Sequence, residues 1–159
     1  NPFKGWEILT SCMNNDSLML IGLYSELARQ HIKEIKNKIN KFKIQSNYKN
    51  IIKFRKDLIE NNDDNWNNIK SSPDFYTVSG VRDLLFHVQE HRFTISKIKE
   101  YLDKLGLIFL GFEGQLVKEN FKEIYSNKID LYNLDKWEEY EKNNPRTFAG
   151  MYQFWCKKI

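Results

Sequence analysis

The chain contains a continuous apolar run, Leu18 to Tyr24, bounded on its amino-terminal side by polar, turn-forming residues. A short apolar run of this kind is typical of a strand that is covered on both faces of a sheet. We therefore expect a buried, central strand over residues 18–24. Two later runs have the same character, Leu107 to Phe112 and the aromatic-rich segment Thr147 to Cys156. The first of these follows Gly106, which is expected to end a helix that begins near Thr94.

Residues with helical spacing lie between these three runs. The residues after the first run alternate inward isoleucines with outward lysines, and a second helix is expected from about Asn47 to Glu60. Polar segments, the first at residues 61–65, interrupt a helical insertion that covers residues of about 26–75. A short helix near residues 79–87 and two more within residues 114–144 are expected. The sequence therefore predicts an α/β fold with an open sheet.

Length and composition set the class of protein. A chain of 159 residues, with 41% hydrophobic and 14% aromatic residues, is expected to fold as a single globular domain. The net charge of +4 comes mainly from the lysine-rich span Arg29 to Lys56, and it is too small to favour nucleic acid as a partner.

No apolar run reaches the roughly 18 residues needed to cross a bilayer, so no membrane role is expected. Cys12 and Cys156 lack metal-type spacing, which favours a cytoplasmic location.

Side chains with reactive groups are concentrated between His87 and Arg92. They are His87, Gln89, Glu90, His91 and Arg92. A group this dense suggests a functional site, and a loop held by hydrogen bonds to neighbouring backbone is an equally open interpretation. The same residues spell His-x-x-Glu-His, in which two histidines one helical turn apart bind zinc and the glutamate activates water. This alternative, a zinc-binding α/β module, requires a helix across residues 87–91 and a third ligand from among Glu138, Glu139 and Glu141.

Three segments of the chain resemble one family of enzymes. Gly22–Arg29, Val81–Thr94 and Phe148–Trp155 are similar to the C-terminal half of a bacterial class I S-adenosylmethionine-dependent methyltransferase, a type often fused to tetratricopeptide repeats. The resemblance covers residues 5–158. The first four strands of the family's sheet have no counterpart here, and neither does their Gly-rich turn, which binds the cofactor. The resemblance implies the substrate-binding half of a methyltransferase, inactive alone, with S-adenosylmethionine as the cofactor of a full-length parent.

The resemblance also implies the layout of the sheet. Leu18–Tyr24 corresponds to strand five of a partial Rossmann-like methyltransferase sheet, Leu107–Phe112 to strand six, and Phe148–Cys156 to an antiparallel strand seven between them. The helical insertion after strand five becomes a lid. Because strand four is absent, the edge of residues 18–24 is left exposed, and a homodimer through that edge is expected.

Site residues follow from the same resemblance, because ligands of open α/β sheets bind beyond the carboxyl ends of the parallel strands. The residues implied to bind the unknown methyl acceptor are Tyr24, Ser25 and Glu26, together with Gln89 and Arg92. The last two are expected to orient a polar or anionic acceptor. Methyl transfer requires alignment of the acceptor and, where needed, a base that removes its proton. The candidates for that base are His87, Glu90 and His91, with the pKa of Glu90 raised by partial burial.

Overall fold

The computed structural model of the protein describes residues 1–60, 64–87 and 89–159. Within these residues it contains eight α-helices and four strands, which confirms the α/β class. The helices are α1 (Pro2–Ser11), α2 (Gln30–Lys41), α3 (Tyr48–Glu60), α4 (Asp64–Lys70), α5 (Val78–Phe86), α6 (Ile95–Leu105), α7 (Gln115–Ile124) and α8 (Leu134–Asn143). The strands are β1 (Leu18–Ser25), β2 (Arg92–Phe93), β3 (Leu107–Phe112) and β4 (Tyr152–Lys158).

Contacts divide the chain into two compact units. The sheet unit consists of residues 1–28 and 91–159, and the helical unit consists of Arg29–Glu90. All four strands belong to the sheet unit, whereas α2 to α5 form the helical unit. The helical unit therefore extends past residue 75 and includes α5.

The four strands form one mixed sheet with the order β2-β1-β4-β3. β4 is antiparallel to β1 on one side and to β3 on the other, so β1 and β3 run parallel to each other. The short strand β2 is parallel to β1 and pairs with it only at Tyr24 and Ser25. The register of β3 against β4 shifts between Phe109 and Gly111, where Gly111 has φ of 125°, a backbone conformation that favours glycine.

One face of the sheet carries the core of the sheet unit. Residues that alternate along β4, Tyr152, Phe154 and Cys156, are fully buried there. They pack with residues of α6 and α8, and the ring of Trp137 on α8 stacks on Phe121 at a centroid distance of 3.8 Å. The indole Nε1 of Trp137 donates to the carbonyl oxygen of Leu131 at 2.9 Å, so its polar atom is satisfied in the core.

The expectation that β1 is covered on both faces is wrong for this chain. Leu18 and Leu20, which point to the same face, are 59% and 50% exposed, while Ile21 is buried among the core residues of the other face. An apolar run that alternates between buried and exposed positions belongs to a sheet with one covered face.

The helix and strand around Gly106 agree with the expectation. Thr94 caps α6 by accepting a hydrogen bond from the backbone N–H of Lys97, and Gly106 ends it in the left-handed region with φ 63°. β3 begins at the next residue. The third expected strand is shorter than predicted, because residues 147–150 form turns and β4 begins only at Tyr152.

The helical unit has a hydrophobic core of its own. Isoleucines of α2, among them Ile32 and Ile35, pack against Ile51 of α3 and Leu85 of α5. The polar break expected at residues 61–65 falls partly outside the described residues, at 61–63, and α4 already begins at Asp64. None of the described helices is both long and apolar enough to cross a bilayer.

Candidate functional site

The carboxyl ends of β1 and β2 lie side by side. Tyr24 is opposite Arg92 and Ser25 is opposite Phe93 in the parallel register. The backbone N–H of Glu26 continues the pairing by donating to the carbonyl oxygen of Phe93 at 2.8 Å. The structure thus brings together four of the residues expected to bind an acceptor, Tyr24, Ser25, Glu26 and Arg92, at one end of the sheet.

Arg92 and Glu26 form an ion pair at this strand end. The guanidinium Nε of Arg92 lies 3.2 Å from the carboxylate Oε2 of Glu26, and both side chains are partly exposed. A pair with this exposure contributes only about 0–1 kcal/mol to stability. The pair also neutralises the positive charge of Arg92, which was expected to bind an anionic acceptor.

A shallow groove of about 430 Å³ lies at β1, between residues that flank β2 and the residue that precedes β4. It is lined by Asn1, Pro2, Gly22, Leu23, Tyr24, His91, Phe93 and Met151. The absence of a side chain at Gly22 leaves room for Met151, because a Cβ at this position would lie 3.0 Å from the sulfur of Met151. Of the three candidate bases, His91 is the one that lines this groove, together with Tyr24.

Glu90 belongs to the helical unit and is fully engaged there. Its carboxylate accepts hydrogen bonds from Nε and Nη2 of Arg29 at 3.0 and 2.8 Å, and from Nζ of Lys36 at 3.4 Å. Burial raises the pKa of Glu90, but the hydrogen bonds and positive charges of Arg29 and Lys36 outweigh it and hold the pKa below its ordinary value. The expected raised pKa is therefore wrong, and a carboxylate held in this way is a poor base.

His87 and Gln89 lie at the end of α5. The helix ends at Phe86, and the exposed His87 accepts a hydrogen bond at Nδ1 from the backbone N–H of Gln89 at 3.3 Å. Val88 lies outside the described residues. The zinc-binding alternative requires a helix across residues 87–91, and the described part of this segment is not helical. No group of three potential metal ligands occurs in the part of the chain that the structure describes.

Ser25 is fully buried and has a different role from the one expected. Its hydroxyl donates to Oε1 of Glu141 at 2.6 Å and accepts from the backbone N–H of Ala28 at 3.0 Å. With no exposed surface, this side chain does not contact a substrate. It fixes the backbone that follows β1, and through it the neighbours Tyr24 and Glu26.

Glu141 is a site residue that the sequence reasoning did not assign to this place. The phenol of Tyr152 donates to both of its carboxylate oxygens, at 2.7 and 2.9 Å, and only 1% of Glu141 is exposed. Burial raises the pKa of Glu141, partly opposed by the hydrogen bonds from Ser25 and Tyr152. Burial likewise raises the pKa of Tyr152. A signal was available, since Glu141 lies one helical turn after Trp137 on the buried face of α8.

No protein-family model matches this sequence, and no curated protein matches it either. The functional conclusion therefore depends on the arrangement of strands and side chains described above.

Proposed function

We propose that this chain is the substrate-side C-terminal half of an S-adenosylmethionine-dependent methyltransferase. The observation that carries the proposal is the strand order, in which antiparallel β4 lies between the parallel strands β1 and β3. The resemblance implies this order for the last three strands of the methyltransferase sheet. An antiparallel strand between two parallel ones is a specific arrangement, and the three strands that form it are far apart in the sequence.

The residues of this chain do not fit the cofactor by themselves. None of the described strands is followed by the Gly-x-Gly motif that binds the cofactor in doubly wound folds, and the turn between β3 and α7 contains the single glycine Gly114. In the proposal, a preceding part of a longer parent binds S-adenosylmethionine, which supplies an electrophilic methyl group. The residues described here bind the acceptor. A cytoplasmic location belongs to the same proposal, and the exposed free thiol of Cys12 is compatible with a reducing compartment.

Among the candidate bases, the geometry favours His91. It is exposed at the groove beside Tyr24, whereas Glu90 is paired with two cations and His87 lies at the end of α5. In this proposal His91 accepts the proton of the acceptor, and the half-buried side chains of Leu23 and Tyr24 exclude water on one side. Ser25 and Glu141 act indirectly, by holding the end of β1 in place.

Calorimetric titration of the full-length gene product with S-adenosylhomocysteine tests the proposal. We expect one molecule bound per chain, and no binding when the 159-residue chain is titrated in the same way. His91→Ala in the full-length protein should leave this binding unchanged, since His91 is assigned to the acceptor. The proposal fails if the reading frame before Asn1 encodes no strand followed by a Gly-rich turn, or if the full-length product does not bind the ligand.

A further inference from the structure

The groove along β1 contains no permanently charged side chain. Its lining includes no aspartate, glutamate, lysine or arginine. The charged residues at the same strand ends, Glu26 and Arg92, neutralise each other. An ion that entered the groove would lose part of its hydration without gaining a lining side chain of fixed opposite charge, and such a loss is costly. The charge distribution therefore fits a neutral ligand.

The walls of the groove are flat and polarisable. Tyr24 and Phe93 contribute aromatic rings, and Phe93 is almost fully buried between the groove and the ring of Trp6. Because Gly22 lacks a side chain, the thioether of Met151 lies close to the backbone of β1. Thioether sulfur and aromatic rings make favourable contacts with other aromatic rings. These walls fit a planar, aromatic ligand better than a branched aliphatic one.

We propose that this groove binds a neutral hydroxylated aromatic compound, with its ring against Tyr24 and Met151 and its hydroxyl donating to His91. His91 is exposed at the groove and is the one lining side chain that can act as a base. The ligand's role as methyl acceptor rests on the proposed function, whereas its binding to the groove does not. The expected methyl acceptor is therefore a phenol rather than any polar or anionic molecule.

An NMR titration of the 159-residue chain with phenol tests the inference, with the amino group of Asn1 acetylated so that the lining carries no terminal charge. We expect saturable shifts at the amides of Gly22 and Tyr24 and at the methyl group of Met151. Three probes separate the contributions: cyclohexanol lacks the ring, anisole lacks the hydroxyl proton, and phenyl phosphate adds charge. Each should bind more weakly than phenol. Equal binding of cyclohexanol, tighter binding of phenyl phosphate, or shifts scattered over the surface would overturn the inference.

Two variants make the test specific to the groove. His91→Ala should abolish the preference for phenol over anisole, a loss of about five-fold if one hydrogen bond is removed. Gly22→Ala should weaken phenol binding by about ten-fold, because the added methyl would lie 3.0 Å from the sulfur of Met151 and would shift this lining side chain. The matched control is Gly5→Ala, whose added methyl meets no other atom. Amide spectra verify that each variant is folded, and an unchanged phenol preference in His91→Ala contradicts the inference.

The outcome is independent of the cofactor experiment. If phenol binds here and the full-length product does not bind S-adenosylhomocysteine, the groove is an aromatic-binding site and the methyltransferase proposal is wrong. If the cofactor binds and phenol does not, the methyltransferase proposal stands and the acceptor class is wrong.

Discussion

Glu141 is a buried carboxyl group whose hydrogen-bond partners are two hydroxyls, those of Ser25 and Tyr152. It connects α8, the end of β1 and the beginning of β4. An acid in this position costs desolvation, and that cost is reduced when the group is protonated and fully hydrogen-bonded. The network therefore holds these three elements together, and Glu141 has a structural rather than a catalytic role.

Replacing Glu141 tests this interpretation. Glu141→Ala leaves two buried hydroxyls without their acceptor, so we expect the free energy of unfolding to fall by about 3 kcal/mol. Glu141→Gln should cost less, because the amide oxygen still accepts a hydrogen bond. Urea denaturation measures both. Glu139→Ala is the control on the same helix, an exposed residue paired with Lys136, and it should cost less than about 1 kcal/mol. Equal losses for the two alanine variants would contradict the prediction.

The pH dependence of stability follows from the raised pKa of Glu141. Its ordinary value is 4.5, and burial raises the pKa in the folded state. The stabilising contribution of such a group is complete below about pH 4.5 and is lost as the pH rises through the folded-state pKa. We expect the free energy of unfolding of the wild type, relative to Glu141→Gln, to decrease over this interval. Other carboxylates, including Glu90, titrate in both proteins and cancel. A difference that is constant with pH would refute the assignment.

Single residues of the site could be predicted only in part. Tyr24 and Glu26 were expected at the carboxyl end of the first strand, because ligands of open α/β sheets bind there. Arg92 was expected only to orient the acceptor, and the short strand β2 that contains it was not predicted. The direction of the Ser25 hydroxyl and the burial of Glu141 depend on the packing of α8 against the sheet. A glutamate in a helix is normally solvated, so the residue type of Glu141 argues against burial even though it lies one helical turn after Trp137.

Side chains at the two ends of the helical unit form an ion pair. Arg29 begins the unit and Glu90 ends it, and their side chains are only 8% and 9% exposed. The two hydrogen bonds between them are bidentate, the strongest geometry for an arginine and a carboxylate. Lys36 of α2 adds a second cation to the same carboxylate. The pair thus connects the first and last residues of the helical unit.

Glu90→Gln is expected to loosen this unit. It replaces the carboxylate that Arg29 and Lys36 share with a neutral amide, at a cost of about 3 kcal/mol. Hydrogen exchange at the amides of α2 and α5 should accelerate. Glu100→Gln in α6 removes an exposed carboxylate that pairs with Lys97 and Lys104, and it should leave those amides unchanged. Protection that is equal in the two variants would show that the ion pair does not hold the unit together.

Helices and strands were predicted well where capping residues and a regular apolar face mark their bounds. They were predicted poorly where such residues are missing. α6 has a threonine cap, a regular apolar face and a left-handed Gly106 at its end, so its bounds follow from its own residues. The start of β4 was placed too early. Phe148 is buried, but it lies in a turn, where its ring packs against Phe112 and Tyr152. Aromatic density indicates burial and does not distinguish a buried turn from a strand.

At the scale of the whole molecule, the outer edge of β1 is the exposed surface with the clearest consequence. β2 covers it only at Tyr24 and Ser25, so in the described residues no strand pairs with that edge along 18–23. The edge carries no lysine, proline or bulge that would discourage pairing, and Leu18 and Leu20 are exposed beside it.

We expect the isolated chain to form a two-fold dimer through this edge. Leu20→Lys adds a charge on the strand and should weaken association by about ten-fold, since like charges approach across the axis. Leu116→Lys on α7, at another exposed leucine, is the control and should have no effect. Sedimentation velocity over a range of concentrations measures both. A wild-type chain that stays monomeric throughout would exclude the dimer.

The parallel pairing of β1 with β2 has a consequence for how this protein can change over evolution. The chain leaves the sheet unit just after β1 and re-enters it at β2, and these two strands are neighbours. In chain order, residues 29–90 are therefore an insertion between two neighbouring strands. An insertion of this kind can be shortened, exchanged or acquired from another gene without changing the register of any strand.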